Sequence, residues 1–540
     1  MIRNHTPPTT IPVVRNHRSR ILNGRLWLRV AFFLAVLAAI PLGTRAQLPT
    51  PTRGWNLGNT LEPPSGEGTW GPAASQNLIN AVAAAGFNTV RIPCAWDSHA
   101  NQSTYQIDAA WMSRVKQVVD WCYAKNLYVI INIHWDGGWL ENNITDTVNP
   151  TINAKMQSYW TQIANAFKGY DGKLLFAGAN EPAVSTAAQM NTLLAYYQTF
   201  VNAVRATGGN NSTRWLIVQG PSTDIDTTDS LMNTLPSDSA NRLAVEVHYY
   251  APYQWCLMNA DQSWGKMFYF WGQFYHHPTR TDRNANWGEE SYVDSEFQKM
   301  NTKFVSKGIP VIVGEFQAFK RTGYSDLTGG DFNLHVAART YFHKYVVDAA
   351  AAKGLKPIYW DIASQMFDWT SGAVTDQDNL RALTGGAALP PPGGGGIIAN
   401  GTYKILARHS GKALEVAGLG TFNGSNVQQW GYWGGDSQRW VLTHVGNNQY
   451  LITGLQSGKV LDVSGGGTAN GTNVQIWTNV GGANQRWTIT ATSGGYYRLT
   501  PTHATTMALD VSGVSTADGA NVHIWNYAGG ANQQWTFQAP

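Results

Sequence analysis

Charged residues are scarce in this chain. Asp, Glu, Lys and Arg make up 13% of its 540 residues, about half of the roughly 25% that is usual in soluble domains. Hydrophobic residues make up 43% and aromatic residues 12%. Disordered chains combine few hydrophobic residues with a high net charge. The composition therefore excludes a disordered protein, and the length predicts roughly two to four folded domains.

Cysteine is nearly absent as well. The three cysteines, Cys94, Cys122 and Cys256, do not have the spacing of metal ligands. This excludes a disulfide-stapled scaffold and a cysteine-based zinc site, and it leaves open either one disulfide or buried free thiols. The sequence also lacks HExxH motifs and glycine-rich phosphate loops. We therefore expect no metal and no cofactor.

Acidic residues are missing from the first 46 residues, which hold seven arginines. Residues 30–42 form an uncharged apolar run that is too short to span a bilayer, and Thr44-Arg45-Ala46 has a signal-peptidase pattern. We interpret residues 1–46 as a signal peptide, with an uncleaved membrane anchor as the alternative. The remainder has no basic excess and no other long apolar run. We therefore expect a secreted protein that has no nucleic-acid partner and, once mature, no membrane contact.

A segment rich in proline and glycine, residues 385–399, divides the chain in two. Upstream, in residues 47–384, short apolar runs alternate with stretches of helical periodicity. The candidate strands are residues 55–59, 89–92, 128–133, 174–178, 215–219, 243–247, 310–314 and 357–360. The clearest helical periodicity lies in residues 109–124, 154–167, 190–207 and 336–352. This α/β pattern predicts a (β/α)8 TIM barrel, with a doubly wound sheet as the alternative.

Downstream of this linker, residues 400–540 contain a threefold repeat. Each repeat ends in Gln-x-Trp, at Trp440, Trp487 and Trp535, and carries an Asn-Val-x-x-Trp run about ten residues earlier. A single repeat is too short to bury a hydrophobic face, so the three together predict one closed all-β domain. The pattern resembles the ricin-B-type β-trefoil lectins over essentially all of residues 400–540.

Polar residues follow most of the predicted barrel strands, where TIM barrels place their active sites. Glu181 and Glu315 are isolated glutamates at the ends of the fourth and seventh strands. A retaining glycosidase uses two carboxyl groups about 5 to 5.5 Å apart, one as acid/base and one as nucleophile. Either glutamate alone is as compatible with a salt bridge or a helix cap as with a catalytic role. The pair, with its polar neighbours, favours catalysis.

Six motifs in chain order resemble glycoside hydrolase family 5, the large cellulase family of retaining (β/α)8 hydrolases. They are GWNLGNT at 54–60, VRIP at 90–93, NIH at 132–134, NEP at 180–182, HYY at 248–250 and GEF at 314–316. The resemblance implies that Glu181 is the acid/base and Glu315 the nucleophile. It also implies supporting or substrate-binding roles for Arg91, His134, Asn180, His248, Tyr250 and Trp360.

These supporting residues suit their implied roles chemically. Asn180 is expected to bond the 2-hydroxyl of the sugar, and Arg91 and Tyr250 to keep Glu315 ionised. The two histidines correspond to active-site histidines of the family, and Trp360 to the platform beneath the sugar at the cleavage point. Further candidates for this platform are Trp55, Trp135, Trp139, Trp255 and Trp264.

The resemblance to trefoil lectins implies that each repeat holds a sugar site, built from an acid, an aromatic ring and an amide. The matching residues are Asp462, Gln475, Trp477 and Asn484 in the second repeat and Asp510, Trp525 and Asn532 in the third. The third repeat has His523 in place of the glutamine, and the first has Glu415 and Ser437 in place of the aspartate and asparagine. We expect two competent sites and a doubtful first one.

Taken together, these features predict a secreted, monomeric endo-β-1,4-glucanase, a cellulase of retaining mechanism. Its partner is a polysaccharide, a β-glucan, to which the trefoil helps to bind it. A β-mannanase or a xyloglucanase is the alternative, because the motifs specify the bond cleavage and not the sugar. A non-catalytic glycan-binding protein and a lipid-glycoside hydrolase are alternatives of other classes. The presence of both Glu181 and Glu315 argues against the non-catalytic protein.

Overall fold

The computed structural model describes residue 48 and residues 53–363, 365–388, 397–445 and 448–540. The predicted signal peptide, residues 1–46, lies outside the described residues, as do residues 389–396 of the predicted linker. Among the described residues, no helix combines the length and the apolar character that a bilayer crossing needs.

The first part of the chain is a closed barrel of parallel strands, which confirms the predicted TIM barrel. The strands are β1 (Gly54–Leu57), β2 (Thr89–Ile92), β3 (Tyr128–Asn132), β4 (Leu174–Ala177), β5 (Leu216–Gln219), β6 (Leu243–Tyr249), β7 (Val311–Phe316) and β8 (Lys356–Asp361). Each pairs with the next in chain order, and β1 closes the barrel by pairing with β8. The sequence located all eight because a strand covered on both faces reads as a short continuous apolar run.

Helices connect the strands and surround the barrel. They are α1 (Gln76–Ala84), α2 (Ala109–Tyr123), α3 (Pro150–Ala166), α4 (Ala187–Ala206), α5 (Ile225–Leu231), α6 (Tyr253–Cys256), α7 (Glu290–Lys303), α8 (Gly329–Ala352) and α9 (Gln377–Leu383). Side-chain caps determine where several begin. Asp108 accepts from the Trp111 backbone N–H at the start of α2, and Thr186 accepts from Gln189 at the start of α4.

The barrel interior is apolar in one layer and polar in another. Ile130, Leu175, Ile217, Ile312 and Ile358 belong to one buried cluster inside the strands. Towards the carboxyl ends of the strands, buried interior positions are polar instead, and these form the candidate site described below. The three cysteines are buried and free, so of the two alternatives that the sequence left open, the structure has free thiols.

The second part of the chain is all β, in agreement with the predicted trefoil. Its strands are β9 (Gly401–Ala407), β10 (Ala413–Val416), β11 (Ser425–Trp430), β12 (Trp440–His444), β13 (Gln449–Gly454), β14 (Val460–Val463), β15 (Thr472–Trp477), β16 (Trp487–Ala491), β17 (Tyr497–Pro501), β18 (Met507–Val511), β19 (Ala520–Asn526) and β20 (Trp535–Gln538). The hairpins β10–β11, β14–β15 and β18–β19 have equivalent registers, pairing Glu415 with Gln428, Asp462 with Gln475 and Asp510 with His523.

The tryptophans of the Gln-x-Trp motifs lie in the trefoil core. Trp440, Trp487 and Trp535 are fully buried. Each indole Nε1 donates to a backbone carbonyl of its own repeat, at 2.9 to 3.0 Å. Each of these three indole N–H groups therefore has a hydrogen-bond partner, so burying the rings leaves no unsatisfied donor.

Both described ends of the predicted linker are held by packing. Ala387 is buried beside Val441 and Leu455, and its backbone N–H donates to the Leu455 carbonyl at 3.1 Å. Ile398 is buried in the trefoil core and donates from its backbone to Tyr450 Oη at 2.9 Å.

Candidate active site

Glu315 lies at the carboxyl end of β7 and is 6% exposed. Arg91 on β2 donates from Nη1 to its Oε1 at 2.9 Å, and Tyr250 donates its hydroxyl to Oε2 at 3.0 Å. These are the two partners that the resemblance implied. Burial raises the pKa of Glu315 above its ordinary value, against the opposing effects of His248 and Arg91.

Glu181 follows β4 and is held from the other side of the cleft. Its Oε1 lies 2.7 Å from Nδ1 of His248 on β6, and its side chain is 45% exposed. Thr223 donates to the same oxygen at 3.5 Å. One carboxylate oxygen of Glu181, one of Glu315 and a ring nitrogen of His248 all lie within 4.8 Å of one another. The barrel thus brings together two glutamates that are 134 positions apart in the sequence.

Asn180 precedes Glu181 and is hydrogen-bonded to Arg91, the arginine that also donates to Glu315. Its Oδ1 accepts from Arg91 Nη2 at 2.8 Å. This bond orients the amide so that its nitrogen remains available as a donor. The adjacent Glu181 is further positioned through its backbone N–H, which donates to the buried side chain of Glu141.

Protonation in the cleft is governed by His248. Although its burial opposes charge, the surrounding carboxylates Glu315, Glu181 and Glu246 raise the pKa of His248 to about 10. Burial raises the pKa of Glu181, but the hydrogen bond and charge of His248, together with Arg91, lower it further, so that it lies below its ordinary value. At neutral pH the Glu181–His248 pair therefore shares one proton, which resides mainly on the imidazole.

Glu246 is a carboxylate of this site that the sequence analysis did not identify. It is fully buried on β6, 3.0 Å from Arg91 Nε and 3.3 Å from His248 Nε2, and it accepts from Gln219 at 2.7 Å. Burial raises its pKa, but Arg91 and His248 more than offset this and hold it below its ordinary value. The sequence does contain a signal for it. Glu246 is the one acidic residue in an otherwise apolar strand, and it lies two residues before His248 and therefore on the same face.

Gly314 makes room for that carboxylate. A Cβ on Gly314 would lie 2.0 Å from Glu246 Oε1 and 2.6 Å from its Cδ. The glycine before Glu315 is therefore required by the neighbouring strand: Glu246 occupies the space that a side chain at 314 would need.

His134 and Trp360 form one wall of the cleft. Their rings are nearly parallel, with centroids 6.0 Å apart and an interplanar angle of 9°. His134 Nδ1 lies 3.2 Å from Asn132 Nδ2. Burial, reinforced by the positive charges of Arg91 and His248, lowers the pKa of His134 well below its ordinary value. At neutral pH these shifts favour a neutral His134 on this wall and a protonated His248 beside the two glutamates.

Three of the other tryptophans proposed as sugar platforms do not fit that role. Trp55 and Trp255 are fully buried, and Trp139 is 7% exposed. Trp55 donates to the core carboxylate of Asp361 at 2.9 Å. These indoles fill the packed layer around the strands, which sequence periodicity could not distinguish from a binding surface. Trp135 and Trp264 are 40% and 63% exposed and remain available for stacking.

The predicted trefoil sites are assembled as the repeat spacing suggests. In the second repeat, Asp462 accepts from Gln475 and Asn484 at 3.0 and 2.9 Å. In the third, Asp510 contacts His523 Nε2 and accepts from Asn532, at 2.9 and 2.8 Å. The neighbouring indoles, Trp477 and Trp525, are 38% and 42% exposed. Each site thus combines an oriented carboxylate with an exposed indole, the pair of groups that sugar hydroxyls and sugar C–H faces require.

Comparison with known proteins identifies the barrel. A sequence model of the cellulases, glycosyl hydrolase family 5, matches residues 51–365, more than half of the chain. The chain belongs to glycosyl hydrolase family 5. Its barrel is therefore the catalytic domain of a glycoside hydrolase.

Curated family 5 relatives match over the same part of the chain. Endoglucanase A of Paenibacillus barcinonensis is 34% identical over 366 residues, covering 62% of this chain and 87% of that protein. A xyloglucan-specific endo-β-1,4-glucanase of Bacteroides ovatus is 36% identical over 355 residues, covering 62% of this chain and 68% of that protein.

Solved family 5 structures share the barrel. A xyloglucan-specific β-1,4-glucanase from a ruminal metagenomic library is 41% identical with a TM-score of 0.57, covering 62% of this chain and 93% of that one. A broad-specificity endoglucanase of Bacteroides salanitronis is 33% identical with a TM-score of 0.55, covering 63% and 96%.

The all-β part of this family 5 chain also matches a known family. Models of the ricin-type β-trefoil lectin-like domain match residues 396–477, 436–525 and 483–540. The overlapping matches reflect the threefold repeat, and the predicted fold of both parts is confirmed.

Proposed function

We propose that this protein is a secreted, retaining endo-β-1,4-glucanase that cleaves internal bonds of β-glucans. The observation that carries the proposal is the convergence of one oxygen of Glu181, one oxygen of Glu315 and a nitrogen of His248 within 4.8 Å. Carboxyl groups this close fit the roughly 5 to 5.5 Å of retaining glycosidases, whereas inverting enzymes need about 6.5 to 9.5 Å to admit a water molecule.

In the first step, Glu315 attacks the anomeric carbon of the sugar. A bond forms between that carbon and a carboxylate oxygen, and the bond to the departing glycosidic oxygen breaks. Glu181 delivers a proton to the leaving oxygen. His248 Nδ1, 2.7 Å from Glu181, is placed to supply that proton to the glutamate. Arg91 and Tyr250, bonded to Glu315, orient the attacking oxygen.

In the second step, water replaces the protein at the anomeric carbon. Glu181 takes a proton from the water as its oxygen attacks, and the bond to Glu315 breaks to regenerate the free carboxylate. Two inversions at one carbon retain its configuration. Asn180 supports both steps, because its amide nitrogen can donate to the sugar 2-hydroxyl while its oxygen remains bonded to Arg91.

The proposed substrate is a β-1,4-linked glucan, since the curated relatives include endoglucanases. Xyloglucan is the second candidate. It is favoured by the xyloglucan-specific relative of Bacteroides ovatus and by the rumen xyloglucan-specific structure, which has 41% identity to this chain. We propose that the trefoil holds the enzyme on the polymer, where even weak sites raise the local concentration of substrate.

The test is reducing-sugar release by the protein recovered from culture medium, on carboxymethylcellulose, barley β-glucan, xyloglucan and mannan. An N-terminus at Gln47 supports secretion by cleavage of the signal peptide. We expect Glu315→Gln to lower the rate by at least about three orders of magnitude, as expected for loss of a nucleophile.

Glu296→Gln is the matched control, because Glu296 is also a buried glutamate but pairs with Lys299 on α7. Its rate should stay near that of the parent. NMR of the first products should show the β-anomer. An α-anomer would contradict retention, and a strong preference for mannan would contradict the glucan substrate. Absence of release on all four polymers would contradict the enzyme proposal.

A further inference from the structure

Three of the positions at which the first trefoil repeat differs from the other two lie around its carboxylate. Glu415 stands where the others have Asp462 and Asp510, and Ser437 stands where they have Asn484 and Asn532. The third difference is Trp433, which aligns with Val480 and Ala528. On residue identities alone the first two changes make this repeat a doubtful sugar site.

The carboxylate of the first repeat nevertheless keeps a full set of donors. Gln428 Nε2 donates to Glu415 Oε1 at 3.2 Å, and Gln438 Nε2 donates to Oε2 at 2.6 Å. The third donor is the indole of Trp433, whose Nε1 donates to Oε2 at 3.2 Å. In the second repeat, the corresponding third donor to Asp462 is the Asn484 amide, at 2.9 Å.

The three changes therefore compensate for one another. Ser437 is buried, and its hydroxyl has no hydrogen-bond partner among the residues that the structure describes, so it does not replace the asparagine amide. The longer side chain of Glu415 carries the carboxylate to the Trp433 indole instead. Gly435 leaves space for this ring, since a Cβ there would lie 2.0 Å from it.

Two exposed indoles consequently accompany this carboxylate, whereas the other repeats have one each. Trp430, two residues after Gln428 on the same strand face, is 40% exposed, and Trp433 is 57% exposed. Within the described part of the chain, no aromatic ring or cation contact involves either indole, so the exposed face of each is free to stack. Pyranose rings stack on indoles through their apolar C–H faces.

We propose that Glu415, Trp430 and Trp433 form a binding site for an oligosaccharide segment of at least two β-linked pyranose units. Glu415 accepts hydrogen bonds from sugar hydroxyls, and each indole stacks on one sugar ring. The second and third repeats, with one indole apiece, bind single sugars. The site would hold the enzyme along a polysaccharide chain. This inference concerns the trefoil alone and does not depend on the reaction proposed for the barrel.

The test is affinity electrophoresis of the full-length Glu315→Gln protein in gels containing barley β-glucan or xyloglucan. In this background, barrel binding is the same for every variant. We expect Trp433→Ala to weaken polymer binding about tenfold, a loss of about 1.4 kcal/mol. Gly435→Ala should have a similar effect by displacing the ring. Val480→Ala, the aligned change in the second repeat, should leave binding unchanged.

Titration of the same proteins with cellotetraose, glucose and xylose completes the test. Trp433→Ala should weaken cellotetraose binding more than any binding of the monosaccharides, because it removes a stacking ring as well as one donor to Glu415. Equal weakening for tetrasaccharide and monosaccharide would overturn the two-sugar site. Polymer binding equal to that of the parent, in a Trp433→Ala protein with unchanged near-ultraviolet circular dichroism outside the lost indole, would overturn the site altogether.

Discussion

His248 is the residue on which the charge balance of the cleft depends. It lies between Glu181 and Glu246, and these carboxylates with Glu315 raise its pKa to about 10. Since an ordinary histidine titrates near 6.5, the protonated form stabilises the folded cleft at neutral pH. That stabilisation is complete below about pH 6.5 and is lost as the pH rises through about 10.

Replacing Glu246 with glutamine should move the alkaline limb of the activity profile. The change keeps the side-chain shape but removes one negative charge 3.3 Å from His248 Nε2. The pKa of His248 should fall, so the Glu181–His248 pair should lose its proton at lower pH. We expect the alkaline limb of kcat/KM to shift down by about 1 to 3 pH units. Glu296→Gln should not move it. An unshifted Glu246→Gln profile would contradict the inference that Glu246 raises the pKa of His248.

The packing of His248 and its neighbouring carboxylates is determined by how strands β6 and β7 lie against each other. Strand β7 presents Gly314 to β6, whose Glu246 occupies the space in front of it. The register between the strands shifts after Val247, where His248 pairs with Glu315. This irregularity brings the histidine and the nucleophile side by side at the mouth of the barrel.

Gly314→Ala should therefore disturb the cleft through β6. The added methyl group would overlap the Glu246 carboxylate, at a cost of about 1 to 3 kcal/mol in the free energy of unfolding. We expect a lower melting temperature and a lower kcat. In a Glu246→Ala background the same change should cost less, because the clash is gone. Equal costs in both backgrounds, by thermal denaturation, would show that the overlap is relieved in another way.

At the scale of the whole molecule, the trefoil is closed by a ring of three asparagines. Asn426 donates to Asn521, Asn521 to Asn473 and Asn473 to Asn426, each at 2.9 Å. Each repeat contributes one asparagine, so the ring links all three repeats around the pseudo-threefold axis. Because every amide both donates and accepts, removing one leaves two neighbours without their partner.

Asn473→Ala should lower the stability of the trefoil by about 1 to 3 kcal/mol, because it removes two hydrogen bonds that each contribute about 0.5 to 1.5 kcal/mol. Calorimetry of the full-length chain measures the shift. The double change Asn473→Ala with Asn521→Ala should cost less than the sum of the single changes, because the first already opens the ring. Strict additivity would show that the three asparagines act independently.

The sequence by itself determined both folds and the residue types of the site. Buried parallel strands appear as apolar runs, and the end of each run is where a barrel places polar side chains, so Glu181 and Glu315 could be located without coordinates. The Gln-x-Trp spacing likewise revealed the trefoil. Neither inference needed long-range contacts, because each signal repeats locally along the chain.

Only the tertiary structure decided which of these residues meet and in what state. Periodicity does not reveal that Glu246 forms ion pairs with both Arg91 and His248, or that Trp55 packs inward while Trp264 is exposed. Nor does it reveal that Trp433 replaces a missing asparagine at Glu415. The physical reason is that burial and charge act through space. The pKa of His248 and the exposure of an indole depend on neighbours that lie far away in the sequence and become adjacent only when the barrel and the trefoil close.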